Sequence, residues 1–267
     1  MDHGHPLLAS DLDGTLIPPA DVAGDGGVAE FSHVVNARRD LLLAYVTGRH
    51  RALALQGIVR HALPAPRILV CDVGTSVFVL SDGEYQADPV YRERMVDALG
   101  GADRSELHRL LEDLPGLRLQ EDEKQAEFKL SYYTPGGAEG EALALRARDL
   151  LEDAVGVVSV VYSVDPEIGH GLLDVLPPGV AKDVAVRYLH DRLGVGEDRL
   201  VYAGDSGNDR AVMLSGFNVV VVGNASPSLK EEIRLESERL RIGSRIYFAR
   251  ALYAQGVLEG GRHFEIL

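Results

Sequence analysis

Leu7-Leu8-Ala9-Ser10-Asp11-Leu12-Asp13-Gly14-Thr15 runs an apolar stretch straight into two carboxylates one residue apart. It reads as a buried strand ending in a turn, with Asp11 and Asp13 presented at its carboxyl end. Side chains alternate along a strand, so residues two apart share a face until the turn at Gly14 re-aims them. Two acids this close resist joint ionisation unless a cation or a shared proton relieves them. The pair predicts a divalent metal, a nucleophile beside a general acid/base, or both. The bland alternative is a solvated turn, for which Asp and Gly are ordinary residues. A calcium loop is set aside, because the place of its bidentate Glu is Val22.

Further along the chain, other apolar runs end in similar chemistry. Leu41–Val46 runs into Thr47-Gly48-Arg49, and Arg199–Ala203 runs into Gly204-Asp205-Ser206-Gly207-Asn208-Asp209. Between them, Leu176-Pro177-Pro178-Gly179-Val180-Ala181-Lys182 places a lone lysine at a helix start. Strands that each end in small or polar residues describe the carboxyl edge of an open α/β sheet, where ligands bind.

The 267 residues suffice for one large domain or two moderate ones. A formal charge of -14 argues against nucleic acid, which rewards a basic footprint. It also means that an anionic substrate needs a locally positive site, which a bound cation with Lys182 and Arg49 would supply. Cys71, the single cysteine, excludes an internal disulfide and suits a reducing cytoplasm; its apolar run points to packing rather than catalysis. No signal peptide and no membrane-spanning stretch are expected. Gly204-Asp205-Ser206-Gly207 imitates a serine-protease nucleophile, but the Asn-Asp that follows speaks against it. Gly24–Ala29 loosely fits a dinucleotide fingerprint, yet it follows Pro18-Pro19 rather than a strand.

Strand and helix alternate at first: Leu7–Ser10, Val28–Arg39, Leu41–Val46, Arg51–Ala62, Ile68–Cys71, then Ser76–Leu80. This is the pattern of a parallel sheet covered by helices. From about Asp88 the character changes to helices at Pro89–Leu99, Ser105–Leu114 and Gly140–Ala154. Strands are expected there at Glu127–Tyr133, Val157–Ser163 and Leu172–Leu176. Alternation resumes with Ala181–Leu193, Leu200–Ala203, Ala211–Leu214 and Val219–Val222.

Four segments in order, Asp11-x-Asp13-Gly14-Thr15, Thr47, Lys182 and Gly204-Asp205-x-x-Asn208-Asp209, resemble the motifs of the haloacid dehalogenase superfamily of phosphatases. Gln125–Tyr133, Leu173-Asp174-Val175-Leu176-Pro177-x-Gly179-x-x-Lys182 and the tail from Tyr247 to Phe264 resemble its sucrose-phosphate phosphatase branch. The resemblance implies an α/β fold with a Rossmann-like parallel-sheet core, residues 1–87 and 177–267, and an inserted α+β cap, residues 88–176. It implies Asp11 as nucleophile through an aspartyl phosphate and Asp13 as general acid/base. The Asp11 carboxylate, the Asp13 carbonyl and Asp205 would hold Mg2+, with Asp209 orienting Lys182 or a metal-bound water. The acid/base role of Asp13 needs a raised pKa while Asp11 stays ionised, and asymmetric burial together with the metal is expected to separate the two.

By the same resemblance Thr47 and Gly48 would hold a phosphate oxygen, and Lys182 would neutralise the transferring group. Arg49 is divided between substrate and a structural acid. Asn208, and Gln125, Lys129 and Ser131 of the cap, are further candidates for substrate contact, the cap residues against the alternative of a solvent-facing sheet edge. Asp165, Glu167 and His170 lie in a stretch longer than sucrose phosphatases lead one to expect, and could touch a hydroxylated ligand. The function expected is a cytoplasmic sugar phosphatase of carbohydrate metabolism, with sucrose 6-phosphate leading and mannosyl- or glucosyl-linked phosphates close behind. The rivals are a sugar phosphomutase and an idle binding module. Association with a separate glycosyltransferase is left open.

Overall fold

The computed structural model describes residues 5–20, 22, 24–156, 158–164 and 169–267. Strand β1 (Leu7–Ser10) leads through helix α1 (Val28–Ala37) to β2 (Leu42–Val46), and α2 (Arg51–Arg60) leads to β3 (Ile68–Cys71). Two strands joined at Asp82-Gly83, β4 (Ser76–Ser81) and β5 (Glu84–Ala87), follow. Next come α3 (Pro89–Ala98), α4 (Arg104–Leu111), β6 (Arg118–Leu119), β7 (Leu130–Thr134), α5 (Gly137–Val155), β8 (Ser159–Val164) and β9 (Gly171–Leu176). The chain closes with α6 (Lys182–Leu193), β10 (Leu200–Gly204), α7 (Arg210–Met213), β11 (Asn218–Val221), α8 (Pro227–Arg239), β12 (Ile246–Phe248) and α9 (Tyr253–His263).

These elements form two compact units, Met1–Gln86 with Ala181–Leu267, and Ala87–Val180. The first holds a sheet ordered β12-β11-β10-β1-β2-β3-β4-β5. Pairing is parallel from β12 through β3 and antiparallel between β3 and β4. Strands β1, β3, β10 and β11 are buried along their whole length. That is why they read as continuous apolar runs: a parallel strand covered on both faces has no polar side. Phe31 and Val35 of α1 join Val257 and Leu258 of α9 in one core cluster with Leu8 and Tyr45. The fold is α/β, as the strand-helix alternation led one to expect. Cys71 is fully buried in β3, and burial pushes its thiol pKa up.

In the second unit the antiparallel sheet runs β6-β7-β9-β8. Helices α4 and α5 contact one another, and α4 reaches β7 while α5 reaches β8 and β9. Leu107, Leu111, Leu143, Ala147 and Leu151 supply the buried helical face, and Leu130, Tyr132, Leu173 and Val175 supply the strands. The strand expected over Glu127–Tyr133 starts later, at Leu130, because Ala126 and Lys129 first bridge across a tight turn. Among the described residues no helix is long and apolar enough to cross a membrane.

Candidate active site

Three neighbouring strands end together: Asp11 follows β1, Thr47 follows β2, and Asp205 follows β10. The chain crosses the sheet in opposite directions from β1, towards β3 on one side and β12 on the other. Ligands of open α/β sheets bind at this kind of switch point. A cavity of about 530 Å³ lies here, with Asp11, Asp13, Gly48, Arg49, Asp205 and Asn208 in its wall.

Asp11 is 3% exposed and is held at the strand end by its own N–H, which donates to the Ala203 carbonyl at 2.9 Å. One carboxylate oxygen accepts the Leu12 N–H at 2.8 Å and lies 2.9 Å from the Lys182 Nζ. Lys182, the first residue of α6, is 0% exposed and also donates to Asp209 Oδ1 at 2.7 Å. Burial works against the Lys182 charge, but the attraction of Asp209 and Asp11 wins and its pKa is raised. One ammonium thus serves two carboxylates. Asp209 is supplied further by the Tyr202 hydroxyl at 2.5 Å and by the N–H groups of Asp205 and Ser206, both at 3.1 Å. Asp11 is left short of positive charge: burial, then repulsion from Asp209, push its pKa up to about 8 despite Lys182.

Asp205 accepts the Thr15 hydroxyl at 2.9 Å, and burial followed by the Asp209 charge raises its pKa to about 6. Gly14 adopts φ +75°, and a Cβ there would collide with the Asp205 carboxylate. The Gly14 carbonyl accepts from Asn224 Nδ2 at 2.7 Å, so the turn after β1 is pinned from the far end of the chain. Asp11, Asp205 and Asp209 each offer an oxygen within 4.8 Å of one another. Three carboxylates with a single ammonium shared by two of them form an oxygen-donor set short of positive charge, which fits a hard divalent cation.

Asp13 is placed differently. Its carboxylate is half-exposed and takes a two-pronged bond from Arg49, Nε to Oδ2 at 2.8 Å and a terminal nitrogen to Oδ1 at 2.5 Å. Arg49 also reaches the Leu53 carbonyl at 3.3 Å, and the bare Cα of Gly57 leaves room for its guanidinium. Burial falls on Asp11 and not on Asp13, the reverse of the expected separation, because Asp11 ends a strand covered on both faces while Asp13 lies beyond it at the cavity. The partner of Arg49 is an acid of the site itself. Thr47 is fully buried, and its Oγ1 accepts the Arg49 N–H at 3.1 Å, leaving its own proton to donate. Asn208 accepts from Ser206 Oγ at 3.1 Å; that serine caps the turn carrying Asp209.

In the second unit Gln125 is buried with its amide engaged by main chain: Nε2 donates to the Gln120 and Ser131 carbonyls, and Oε1 accepts the Ser131 N–H. Ser131 is fully buried and donates to Asp174 Oδ1 at 2.5 Å, while Lys129 Nζ lies 3.7 Å from that oxygen. His170 is exposed, and Asp165 and Glu167 lie outside the described residues. Residues passed over in the sequence include Tyr202, Thr15, Asn224 and Asp174. For Tyr202 a signal existed: a tyrosine inside a fully buried strand needs a partner for its hydroxyl.

A sequence profile of sucrose-6F-phosphate phosphohydrolase matches residues 5–265. A HAD-like hydrolase of Nitrosococcus oceani is 35% identical, over 97% of this chain and 71% of its own. The mannosylfructose-phosphate phosphatase of Agrobacterium fabrum is 30% identical, over 97% of this chain and 96% of its own. Among solved structures, a sucrose-phosphatase from Synechocystis with bound sucrose and phosphate superposes with a TM-score of 0.75, covering 98% of both chains at 24% identity, a likeness of fold. The chain belongs to the sucrose-6F-phosphate phosphohydrolase family of the haloacid dehalogenase superfamily, and is a phosphoric monoester hydrolase.

Proposed function

We propose that the protein is a Mg2+-dependent phosphatase of a glycosyl or disaccharide monophosphate, with sucrose 6-phosphate the leading substrate and a mannosyl- or glucosyl-linked phosphate the alternative. The observation that carries the reading is Lys182, buried between Asp209 and Asp11, the latter in the wall of the cavity. A buried lysine shared by two acids, one of them facing the cavity, supports phosphoryl chemistry better than a structural role.

In this reading the Asp11 carboxylate attacks phosphorus, and Asp13, protonated once Arg49 releases one of its oxygens, gives that proton to the departing sugar oxygen. Asp13 then takes a proton from the water that opens the aspartyl phosphate, so the second step returns Asp11 and releases phosphate. Thr47 Oγ1–H and the Gly48 N–H hold phosphate oxygens, and Lys182 meets the negative charge that gathers in the transition state. Asp11, Asp205 and the Asp13 carbonyl would hold Mg2+, which when bound supplies charge neutralisation to phosphate and nucleophile. Asp209 stays with Lys182, since Tyr202 and main-chain N–H groups already occupy its oxygens. The Ala87–Val180 unit acts as cap, with Lys129 as its sugar-binding residue; Gln125 and Ser131 shape the strand beside it. The lone cysteine supports a reducing, cytoplasmic setting.

The test is phosphate release from a panel of sugar and glycosyl phosphates, with and without Mg2+, against Asp11→Asn as blank. Preference for sucrose 6-phosphate supports the leading reading, and preference for mannosylfructose phosphate selects the alternative. Turnover by Asp11→Asn at the wild-type rate overturns the mechanism.

A further inference from the structure

Directly after β3, three consecutive residues turn left-handed: Asp72 at φ 54°, Val73 at φ 60° and Gly74 at φ 102°. Glycine adopts such angles freely and aspartate tolerates them. A β-branched valine does not, so Val73 (φ 60°, ψ 23°) is a backbone outlier held against its preference by its surroundings. Backbone strain of this kind gathers where a site is kept in one geometry.

The surroundings are the site. The Asp72 N–H donates to the Arg49 carbonyl at 3.0 Å, and the Val73 N–H donates to the Thr47 carbonyl at 3.2 Å. Those carbonyls flank Gly48. Across a trans peptide the C=O and N–H point opposite ways. Fixing the Thr47 carbonyl on Val73 therefore aims the Gly48 N–H away from the turn, and Gly48 lies in the cavity wall with Asp11. A Val73 methyl stands 3.9 Å from where a Gly48 Cβ would be, closing the back of that peptide. On its other side the turn meets the start of α6: a Cβ on Gly74 would lie 2.6 Å from the Ala181 carbonyl and 3.1 Å from the Lys182 N. Thr75 locks the arrangement, its hydroxyl donating to the Asp72 carbonyl at 3.0 Å.

We propose that Asp72–Val73–Gly74 is the positioning element of the phosphate-binding edge, and that the strained Val73 sets the aim of the Gly48 N–H relative to Lys182. This rests on the phosphatase reading above. Val73 touches no reacting atom and acts through Thr47 and Gly48.

The experiment compares wild type, Val73→Gly, Val73→Ala and Val73→Ile on the best phosphate ester of the panel, with kcat, KM, phosphate inhibition and melting temperature read together. Glycine removes both the strain and the methyl contact. The expected result is an unchanged or higher melting temperature with kcat about tenfold lower and phosphate inhibition weaker. Alanine should fall between, and isoleucine should keep the wild-type kcat. A wild-type kcat in Val73→Gly overturns the proposal, and so does loss of activity with a lowered melting temperature, which marks a merely structural residue. Should wild type release phosphate from no ester, the phosphatase reading fails by itself. The turn is then tested by calorimetry with inorganic phosphate, which Val73→Gly is expected to bind about tenfold more weakly; equal binding overturns it.

Discussion

The guanidinium of Arg49 grips both carboxylate oxygens of Asp13, at 2.8 and 2.5 Å. A lysine cannot reproduce that planar fork. Arg49→Lys is expected to lower kcat about tenfold, by letting the Asp13 carboxylate rotate, and Arg49→Gln to lower it further. Both side chains are partly exposed and the pair is screened by solvent, so the melting temperature should barely move. Steady-state kinetics beside a thermal melt check this; a rise in KM without a change in kcat would show that Arg49 serves the substrate instead.

Lys182→Met leaves Asp11 and Asp209 buried without their shared cation. Breaking a buried pair from one side costs about 3–5 kcal/mol, and denaturant unfolding at pH 8 should show a loss of that order together with loss of turnover. The deficit should grow above pH 8, where Asp11 loses its proton and a second charge is stranded. A deficit that does not depend on pH would refute the shared-cation arrangement.

Metal affinity should rise with pH. Without a metal ion, burial and the Asp209 charge raise the Asp11 pKa to about 8 and the Asp205 pKa to about 6, against the ordinary 3.8 of an aspartate. The native state therefore binds more protons than the unfolded state between about pH 4 and pH 8, so these groups cost stability as pH rises through that window. A divalent cation must displace the same protons. The Mg2+ concentration giving half-maximal activity should fall between pH 6 and pH 8. Calorimetric titrations in buffers of different ionisation enthalpy should detect proton release; a pH-independent midpoint counts against it.

Gly14→Ala strains a left-handed residue and drives a methyl into the Asp205 carboxylate. The expected outcome is a protein that folds, with stability lower by about 1–3 kcal/mol, and requires several-fold more Mg2+ for half-maximal activity. An unchanged Mg2+ requirement would separate Asp205 from the cation.

The parts of the site that sequence exposes are those lying on a strand end or helix start. Asp11, Thr47, Lys182 and Asp205 sit there, and the apolar run before each strand end marks the place. Partnership was less legible. Nothing in the spacing of Asp13 and Arg49 says that they pair, because the bond depends on α2 leaving space at Gly57. Nor do the letters Asp72-Val73-Gly74 announce a left-handed turn when one of them is valine. Two C-terminal helices escaped notice for opposite reasons. α8 is polar through most of its length, although Ser226 before Pro227 is a fair capping signal. α9 carries Gly256, Gly260 and Gly261, which local propensity counts against a helix. Packing overrides propensity there, since a Cβ at Gly260 would run into Val220.

The pairing of β1 with β10 joins residues 7–10 to residues 200–203. On the ribosome, then, the strand that carries the nucleophile is made well before its second neighbour and waits for the intervening chain. During that wait Leu7-Leu8-Ala9-Ser10 presents a bare apolar edge, the kind that recruits strands from other molecules. A chain cut short before residue 200 lacks β10 and keeps that edge of β1 open.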